Sequence, residues 1–529
     1  MCGFLRGHSV WHLAEEEEFM VKKFWTTPVV AVVVALLVAA CGSSSTSPSA
    51  AASAGASAPP AASAPAASAA ASAAASAAAS PAASAAAAVP TVPTGFAELD
   101  KALGANKPFN GKKVSIHTQW VGGEGTNFAA AVADFAKATG ITIQVDAIAS
   151  SPETVLKTRI EGGAPPDLAF LAQPTPILTY ASQGKVVDLA SFMDAAGVKK
   201  VQDEHGNTIS LVTKDGKIWG IPYKADVKSV IWYPIKAFEA AGYKVPTTWD
   251  ELIALSDKIV ADGKGNPWCI SAGGPGDATG WQITDWVEEV VLKTKGLDYY
   301  NQWINHQVTF EDPGIKDAFD KYVGKIFFTP NYVFGGNQAI VNTDQKTPMD
   351  PMFNSDLSAP KCWMQKVPTW YGPDFFPDQR ASGSPSKYIV GTDVGIMPFP
   401  TIDPAQTYAE GSADTLMVPV PGGGKPLRDE VKAVAEFLAT PQGIQNWIRA
   451  GSAISTNSTT PTDWYAGAYK LKVAADIVAK AKGIGFDASD LMPGAVGAGT
   501  FWTKSVAWTN GGGKDTDATL KAIDDSWPK

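Results

Sequence analysis

The sequence predicts an α/β protein of two lobes, each a mixed sheet flanked by helices, with a cleft at the hinge between them. Apolar strands alternate with helical runs up to about residue 218, and the same alternation restarts after residue 232. The stretch between these blocks, residues 219–232, is extended and rich in aromatic side chains, as a crossing between lobes would be. At 529 residues the chain is also too long for one hydrophobic core.

The first 41 residues have the features of an export signal. Lys22 and Lys23 precede an apolar run of 13 residues, 28–40, which is too short to span a membrane as a helix. Residues 38–41 read Val-Ala-Ala-Cys, the pattern of a lipobox. We therefore expect residues 1–40 to be a signal peptide, with Met20 as its expected true start, and Cys41 to carry a lipid that anchors the protein to the membrane.

Residues 41–94 are almost wholly Ala, Ser and Pro, and residues 42–94 contain no charged side chain before the body of the protein begins. Such a composition cannot build a core. The sequence predicts a flexible tether that holds the body away from the membrane, at the extracellular face of the cell.

Charge and histidine content exclude two kinds of function. The formal net charge is −9 and no cluster of Lys or Arg is present, so we expect no nucleic-acid partner. His117, His205 and His306 stand alone, without a second His or a Cys at metal-ligand spacing. The sequence therefore predicts neither a metal nor a cofactor.

The first block supplies candidate contacts where strands end. A predicted strand over 112–120 leads into a Gly-rich turn at 122–125 and an Ala-rich helix over 127–139. The Gly spacing matches neither phosphate-binding fingerprint. Because ligands bind at the carboxyl ends of strands in open α/β sheets, we expect contacts from Trp120, Glu124 and Gln173.

The two predicted crossings supply three more candidates. We expect Tyr223 and Lys224 to face the floor of the cleft, because they lie within the extended stretch 219–232. Residues 388–398 predict a strand that returns toward the hinge, and residues 401–416 a second crossing with Asp414 beside the cleft. The predicted lobes are residues 95–225 with about 412–450, and residues 226–411 with about 451–529.

Tryptophan is abundant, with 17 residues, and many lie beside Gly, Asp, Thr or Asn in turn-like surroundings. Any one of them could be core, but the set favours a carbohydrate cleft, since an aromatic plate covers the apolar face of a sugar while carboxylates and amides bind its hydroxyls. Trp281 is the strongest candidate because a Gly-rich run precedes it. Trp363 and Trp502 are further candidates.

Two further positions have alternative interpretations. Asp285 could bind ligand or cap the following helix, and Gly336 could admit a ligand close to the backbone or form a turn. Cys269 and Cys362 are the two cysteines of the body, and in an exported protein we expect them to form a disulfide. The candidate ligand contacts are therefore Trp120, Glu124, Gln173, Tyr223, Lys224, Trp281, Asp285, Gly336, Trp363, Asp414 and Trp502.

Several segments resemble the extracellular solute-binding proteins of bacterial ABC transporters, family 1. These are residues 233–252, Ala-Thr-Gly-Trp at 278–281, Pro-Lys-Cys-Trp at 360–363, residues 490–502, and Ile-Asp-Asp-Ser-Trp-Pro at 523–528. The resemblance is closer to the α-glucoside-binding branch, although residues 364–367 depart from its pattern. It implies a type II periplasmic-binding-protein-like fold, and a monomeric receptor that delivers an oligosaccharide to a permease.

Two other functions fit the same residues less well. A secreted glycoside hydrolase needs two carboxylates flanking the scissile bond, and nothing in the sequence marks such a pair. A receptor of the same fold for a non-sugar solute, such as a peptide or a metal chelate, is opposed by the scarcity of His and the abundance of Trp.

Overall fold

The computed structural model describes residues 88–274 and 279–528. The predicted signal peptide, the lipobox with Cys41 and most of the predicted tether lie outside the described residues. Among the described helices, none has both the length and the apolar character needed to cross a membrane.

The larger of the two main sheets is mixed, as predicted for each lobe. Its strands run in the order β12-β6-β11-β3-β1-β2, with β13 also pairing with β11. β1 is parallel to β2 and to β3, whereas β11 is antiparallel to β3 and to β6. Its strands are β1 Lys113–Thr118, β2 Thr142–Ala147, β3 Leu168–Leu171, β6 Ile221–Val227, β11 Ala409–Met417, β12 Ile454–Ser455 and β13 Ile484–Phe486.

The second sheet has the order β10-β7-β9-β8 and is also mixed, with β7 antiparallel to β9 and to β10, and β8 parallel to β9. A short hairpin of β4 and β5 stands apart from both sheets. These strands are β4 Thr213–Lys214, β5 Lys217–Ile218, β7 Val230–Pro234, β8 Asn266–Trp268, β9 Cys362–Lys366 and β10 Val394–Pro398.

Helices cover both sheets. Those that precede β11 are α1 Ala97–Leu103, α2 Gly123–Thr139, α3 Pro152–Glu161, α4 Pro174–Ser182, α5 Ala195–His205, α6 Ile235–Ala241, α7 Trp249–Ala261, α8 Trp281–Lys295, α9 Leu297–Ile304, α10 Pro313–Asp317, α11 Gly324–Phe328, α12 Gly336–Asn342 and α13 Pro377–Ser382. Those that follow are α14 Asp429–Leu438, α15 Gln445–Arg449, α16 Tyr469–Lys480, α17 Ala488–Leu491, α18 Trp502–Asn510 and α19 Thr516–Asp524.

Local sequence signals explain several helix ends. α7 begins at a capping box, in which the Thr248 hydroxyl accepts from the Glu251 backbone N–H and the Glu251 carboxylate accepts from the Thr248 N–H. α6 ends at Gly242, whose φ of 70° is in the left-handed region that glycine adopts without strain. The Gly-rich stretch after β1 was predicted to be a turn before the helix, but α2 already begins at Gly123.

The buried apolar residues form separate cores. The first core cluster is built from residues 96–223 and 416–471, and the second from residues 231–399 and 488–523. A third cluster, next to the disulfide, contains Trp232, Tyr371 and Phe375. Separate cores for the two sheets agree with the predicted two-lobe α/β fold. The lobe limits remain a prediction, and Trp464 and Leu471, predicted for the second lobe, pack in the first core cluster.

Two antiparallel strands connect the cores. β6 pairs with β11 from Gly411 opposite Val227 to Leu416 opposite Ile221, with a shift in register between Asp414 and Thr415. One end of β11 packs in the third cluster and the other in the first core cluster. β6 lies within the first predicted crossing, and β11 overlaps the second.

The predicted disulfide is confirmed. Cys269 follows β8 and Cys362 begins β9, and these strands are parallel neighbours. Their Cα atoms lie 5.3 Å apart, well within the range for a disulfide.

Candidate functional site

A cavity of about 180 Å³ lies beside β6 and β11. It is bounded on one side by the ends of other strands of the first sheet and on the other by helices of the second lobe. Seven of the predicted ligand contacts line it. They are Trp120, Glu124, Gln173, Lys224, Trp281, Asp414 and Trp502.

The floor of this cavity follows from strand alternation. Side chains of a strand point to opposite faces in turn. On β6 and the residue after it, Lys224, Asp226 and Lys228 face the cavity, and on β11 Ser412 and Asp414 do so. The two hinge strands thus present a row of charged and hydroxyl side chains to one face.

A larger cavity of about 1320 Å³ lies against the other face of the same strands. Ala225, Val227 and Ala413 line it, and most of the surface exposed in it is apolar. It contains none of the predicted contacts. The smaller cavity, with its converging polar groups, is therefore the better candidate site.

Lys224 is the centre of a buried ion triad. Its Nζ lies 2.6 Å from Asp226 Oδ2 and 3.0 Å from Asp414 Oδ2, and Gln119 Nε2 donates to Asp414 Oδ1 at 2.7 Å. Burial alone would lower the pKa of Lys224, but the carboxylates of Asp226 and Asp414 outweigh it and raise the pKa. The triad holds a fixed charged floor, with the lysine always protonated.

Lys228, which faces the cavity, is the centre of a second ion network that extends behind it. Its Nζ lies 2.7 Å from Asp285 Oδ1 and also contacts Asp487. Carboxylate oxygens of Asp285, Glu410 and Asp487 lie within 4.8 Å of one another, an arrangement that could hold a metal ion. The Lys228 ammonium already binds two of these carboxylates, so the positive charge among them comes from a lysine.

Two tryptophans form an aromatic wall on the second-lobe side. The rings of Trp281 and Trp370 are half-buried, with centroids 6.1 Å apart and planes tilted by 55°. Trp281 Nε1 donates to Gln345 Oε1, and Lys228 Nζ lies 5.5 Å from the Trp281 ring centroid. These contacts fix the plane of the ring beside the charged floor.

Polar groups of the first lobe face this wall. Burial raises the pKa of Glu124 to about 7, although Lys224 opposes the shift. Gln173 is 7% exposed, and its Oε1 has no hydrogen-bond partner among the described residues. On the opposite side, burial also raises the pKa of Asp490 on α17, near the side chain of Gln173. The Gln173 Oε1 atom can therefore accept a hydrogen bond from a group that enters the cavity.

Four predicted contacts lie outside the cavity. Tyr223 points into the first core cluster, where its hydroxyl donates to the Gly443 carbonyl at 2.8 Å. Asp285 is held behind the cavity by Lys228. Gly336 is the first residue of α12 and does not line the cavity. Trp363 packs on Tyr243 in the second core cluster.

The Trp120 ring lies largely in the core, although the residue lines the cavity. It is 1% exposed and packs against Phe170, Trp447 and Phe128 at centroid distances of 4.6, 4.9 and 5.0 Å. Trp120 therefore borders the cavity as part of the first core cluster, and its ring is not available as a stacking plate.

Several cavity residues were missed. They are Gln119, Asp226, Lys228, Gln345, Trp370, Asp487 and Asp490, among others. The alternation of Lys224, Asp226 and Lys228 along one predicted strand was a signal that could have found two of them. Asp487 and Asp490 are distant in sequence, and only the fold brings them to the hinge.

The two lobes, the hinge strands and the enclosed polar and aromatic cavity define a solute-binding receptor. Residues 120–445 match the family model for bacterial extracellular solute-binding proteins. The chain belongs to this family. ABC solute-binding proteins bind a ligand and deliver it to a membrane permease, so the protein is a binding protein and not an enzyme.

Two relatives are similar over most of the chain. The alpha-glucosides-binding periplasmic protein AglE of Rhizobium meliloti is 32% identical over 79% of this chain and 87% of its own. The osmoprotective compounds-binding protein GgtB of Synechocystis sp. is 30% identical over 80% of this chain and 95% of its own.

A solved structure from work on xylan utilization by Caldanaerobius polysaccharolyticus shares the fold, with a TM-score of 0.65 and 19% identity. It covers 78% of this chain and 99% of that chain. At this identity the likeness shows the fold alone.

Proposed function

We propose that the protein is the receptor of an ABC importer for an α-glucoside oligosaccharide of the maltose, sucrose or trehalose class. The observation that carries the proposal is the wall of Trp281 and Trp370 beside a floor of hydrogen-bonding side chains in one cavity. A sugar would place its C–H face on a ring and its hydroxyls on the carboxylates and amides. The similarity to AglE supports the α-glucoside class.

The charge of the lining narrows the ligand class. Six acidic side chains and three lysines line the cavity, so acceptors outnumber cationic donors. Neutral hydroxyl groups, which donate to carboxylates, suit this lining, whereas a sugar acid would add negative charge to an already acidic cavity.

Capture follows from the two lobes. A ligand that contacts both lobes binds more tightly to the closed state and shifts the hinge toward it. We propose further that the mature protein is a monomer held at the extracellular face of the membrane by a lipid on Cys41, with residues 41–94 as its tether.

The proposal is tested by calorimetry against maltose, sucrose, trehalose and longer α-glucans. We expect one of them to bind, and Trp281→Ala to weaken that binding roughly tenfold because stacking area is lost. Trp219→Ala is the matched control, since Trp219 is a half-buried tryptophan that does not line the cavity. Failure of every sugar to bind would contradict the proposal.

A second candidate ligand class is that of osmoprotective compounds, favoured by the similarity to GgtB. Trehalose and sucrose belong to both classes, and glycine betaine belongs only to the second. Binding of glycine betaine with no binding of maltose or longer α-glucans would favour this alternative.

A further inference from the structure

A hydrogen bond joins the two lobes outside the ligand cavity. Asn127, on α2, donates from Nδ2 to Asp374 Oδ2 at 2.9 Å. α2 packs in the first core cluster through Phe128, whereas Phe375, next to Asp374, packs in the third cluster. The bond therefore spans the cleft directly and involves no ligand.

A second bond spans the cleft at another point. Thr175, on α4, donates from Oγ1 to the carbonyl of Leu491 at the end of α17, at 2.8 Å. α4 packs in the first core cluster through Ile177, and α17 packs in the second core cluster through Ala488. Neither Thr175 nor Leu491 lines the cavity.

Gly123 lies close to Asp374, the acceptor of the first bond. A Cβ at this position would lie 2.3 Å from Asp374 Cβ and 2.5 Å from its Cγ. Because the backbone fixes the place of both Cβ atoms, no change of rotamer relieves this overlap. The backbone φ of Gly123 is not in the left-handed region, so alanine fits α2 itself and collides only when the lobes are closed.

We propose that Gly123, Asn127, Asp374 and Thr175 form a latch that holds the cleft closed before ligand arrives. They are positioning residues, which set ligand affinity through the closed fraction without touching the ligand. A receptor whose binding-competent state is partly populated binds in proportion to that population. The affinity effect rests on the proposed function, whereas closure without ligand does not.

The first test measures closure in the absence of any sugar. Single-molecule energy transfer is recorded on the full chain, in which Cys2 and Cys41 are replaced by serine. The dyes are attached to cysteines introduced by Lys157→Cys and Ser382→Cys, at two exposed positions. We expect a closed population in the parent protein and its loss in Gly123→Ala. Gly494→Ala is the control, since a Cβ there meets no atom within 4 Å. Identical distributions for the parent and Gly123→Ala would overturn the latch.

The second test exchanges donor and acceptor. Asn127→Asp places two carboxylates face to face and should reduce the closed population. Adding Asp374→Asn restores the bond with the roles exchanged, so that the new asparagine donates to the new aspartate at position 127. The Oδ1 atom at position 374 can still accept from Gln379 Nε2, which lies 3.0 Å from it in the native protein. We expect the double variant to recover the closed population. If the two residues had only a structural role, the second substitution would not compensate for the first. A double variant as open as Asn127→Asp would refute the role of this bond.

The third test measures affinity by calorimetry with the sugar that the parent protein binds. We expect Gly123→Ala to weaken binding roughly tenfold. This factor corresponds to a loss of about 1.4 kcal/mol in the stability of the closed state. Unchanged affinity would overturn the positioning role. If the parent binds no sugar, the proposed function fails, and the energy-transfer experiment still decides whether the latch exists.

Discussion

Lys224 shows how a single residue links the fold to the site. Its side chain is 2% exposed, and its charge is compensated by Asp226 on its own strand and by Asp414 on the opposite strand. The same side chain therefore joins the two hinge strands and forms part of the cavity floor. Removing it would leave two buried carboxylates without a counter-ion.

We predict that Lys224→Met lowers the free energy of unfolding by about 3 kcal/mol, because breaking a buried ion pair leaves uncompensated charge. Denaturant unfolding measures this loss. The control is Lys199→Met, whose partner Asp203 is a surface residue, and it should cost less than about 1 kcal/mol. Adding Asp226→Asn and Asp414→Asn to Lys224→Met should recover much of the stability. Equal losses for the two single variants would contradict the buried role.

Glu124 gives stability a pH dependence near neutrality. Burial raises its pKa from the ordinary 4.5 to about 7, so between these values the folded state holds a proton that the unfolded state has lost. Stability contributed by this group is therefore present below pH 4.5 and is lost as the pH rises to 7. Relative to Glu124→Gln, we expect the native protein to lose about 3 kcal/mol between pH 4.5 and 8.

Unfolding free energies of both proteins at pH 4.5, 6 and 8 test this dependence. The comparison with Glu124→Gln removes contributions from other groups, including Glu436, whose pKa burial also raises to about 7. Glu161→Gln, at an exposed acid on α3, is the control and should track the native protein. Parallel curves for the native protein and Glu124→Gln would show that Glu124 keeps an ordinary pKa.

At the scale of elements, the disulfide connects two neighbouring strands that are far apart in sequence. Cys269 and Cys362 are separated by 93 residues, and the bond closes this loop beside β8 and β9. Cross-linking a loop of this length restricts the unfolded chain strongly in the chain-entropy account.

We predict that Cys269→Ser with Cys362→Ser lowers the free energy of unfolding by about 4 kcal/mol. Denaturant unfolding measures the change, and reduction of the native protein should reproduce it. Peptide mapping under non-reducing conditions should show the two cysteines in one linked fragment. Recovery of both as free thiols would contradict the bond.

The elements that sequence reasoning predicted well are those whose signals are local. The strand before Trp120, the capped helix at Thr248 and the cysteine pair could all be found from neighbouring residues and composition. The start of α2 at Gly123 could not, because glycine is a poor helix former and Gly123 is needed for the approach of Asp374. That the Trp120 and Trp363 rings pack in the cores could not be predicted either, because turn-like neighbours do not show which face a tryptophan buries.

At the scale of the whole molecule, a bound sugar should stabilise both lobes together. A ligand that binds only the folded state adds about 2.7 kcal/mol at a concentration 100 times its Kd. We expect this gain with the sugar identified by calorimetry, measured by denaturant unfolding with and without it. The gain should shrink for Trp281→Ala at the same sugar concentration. No stabilisation by a sugar that binds in calorimetry would contradict binding to the folded cleft.

The late position of β11 in the chain affects how the protein can fold during synthesis. The first core cluster includes residues of α14 and α15, which follow β11 and the middle of the chain. The first core cluster therefore cannot be completed on the ribosome until about residue 471 has emerged, long after its opening strands. During that interval the apolar side chains of β1 and β3 lack their final partners, so export in an unfolded form and folding after release would suit this topology.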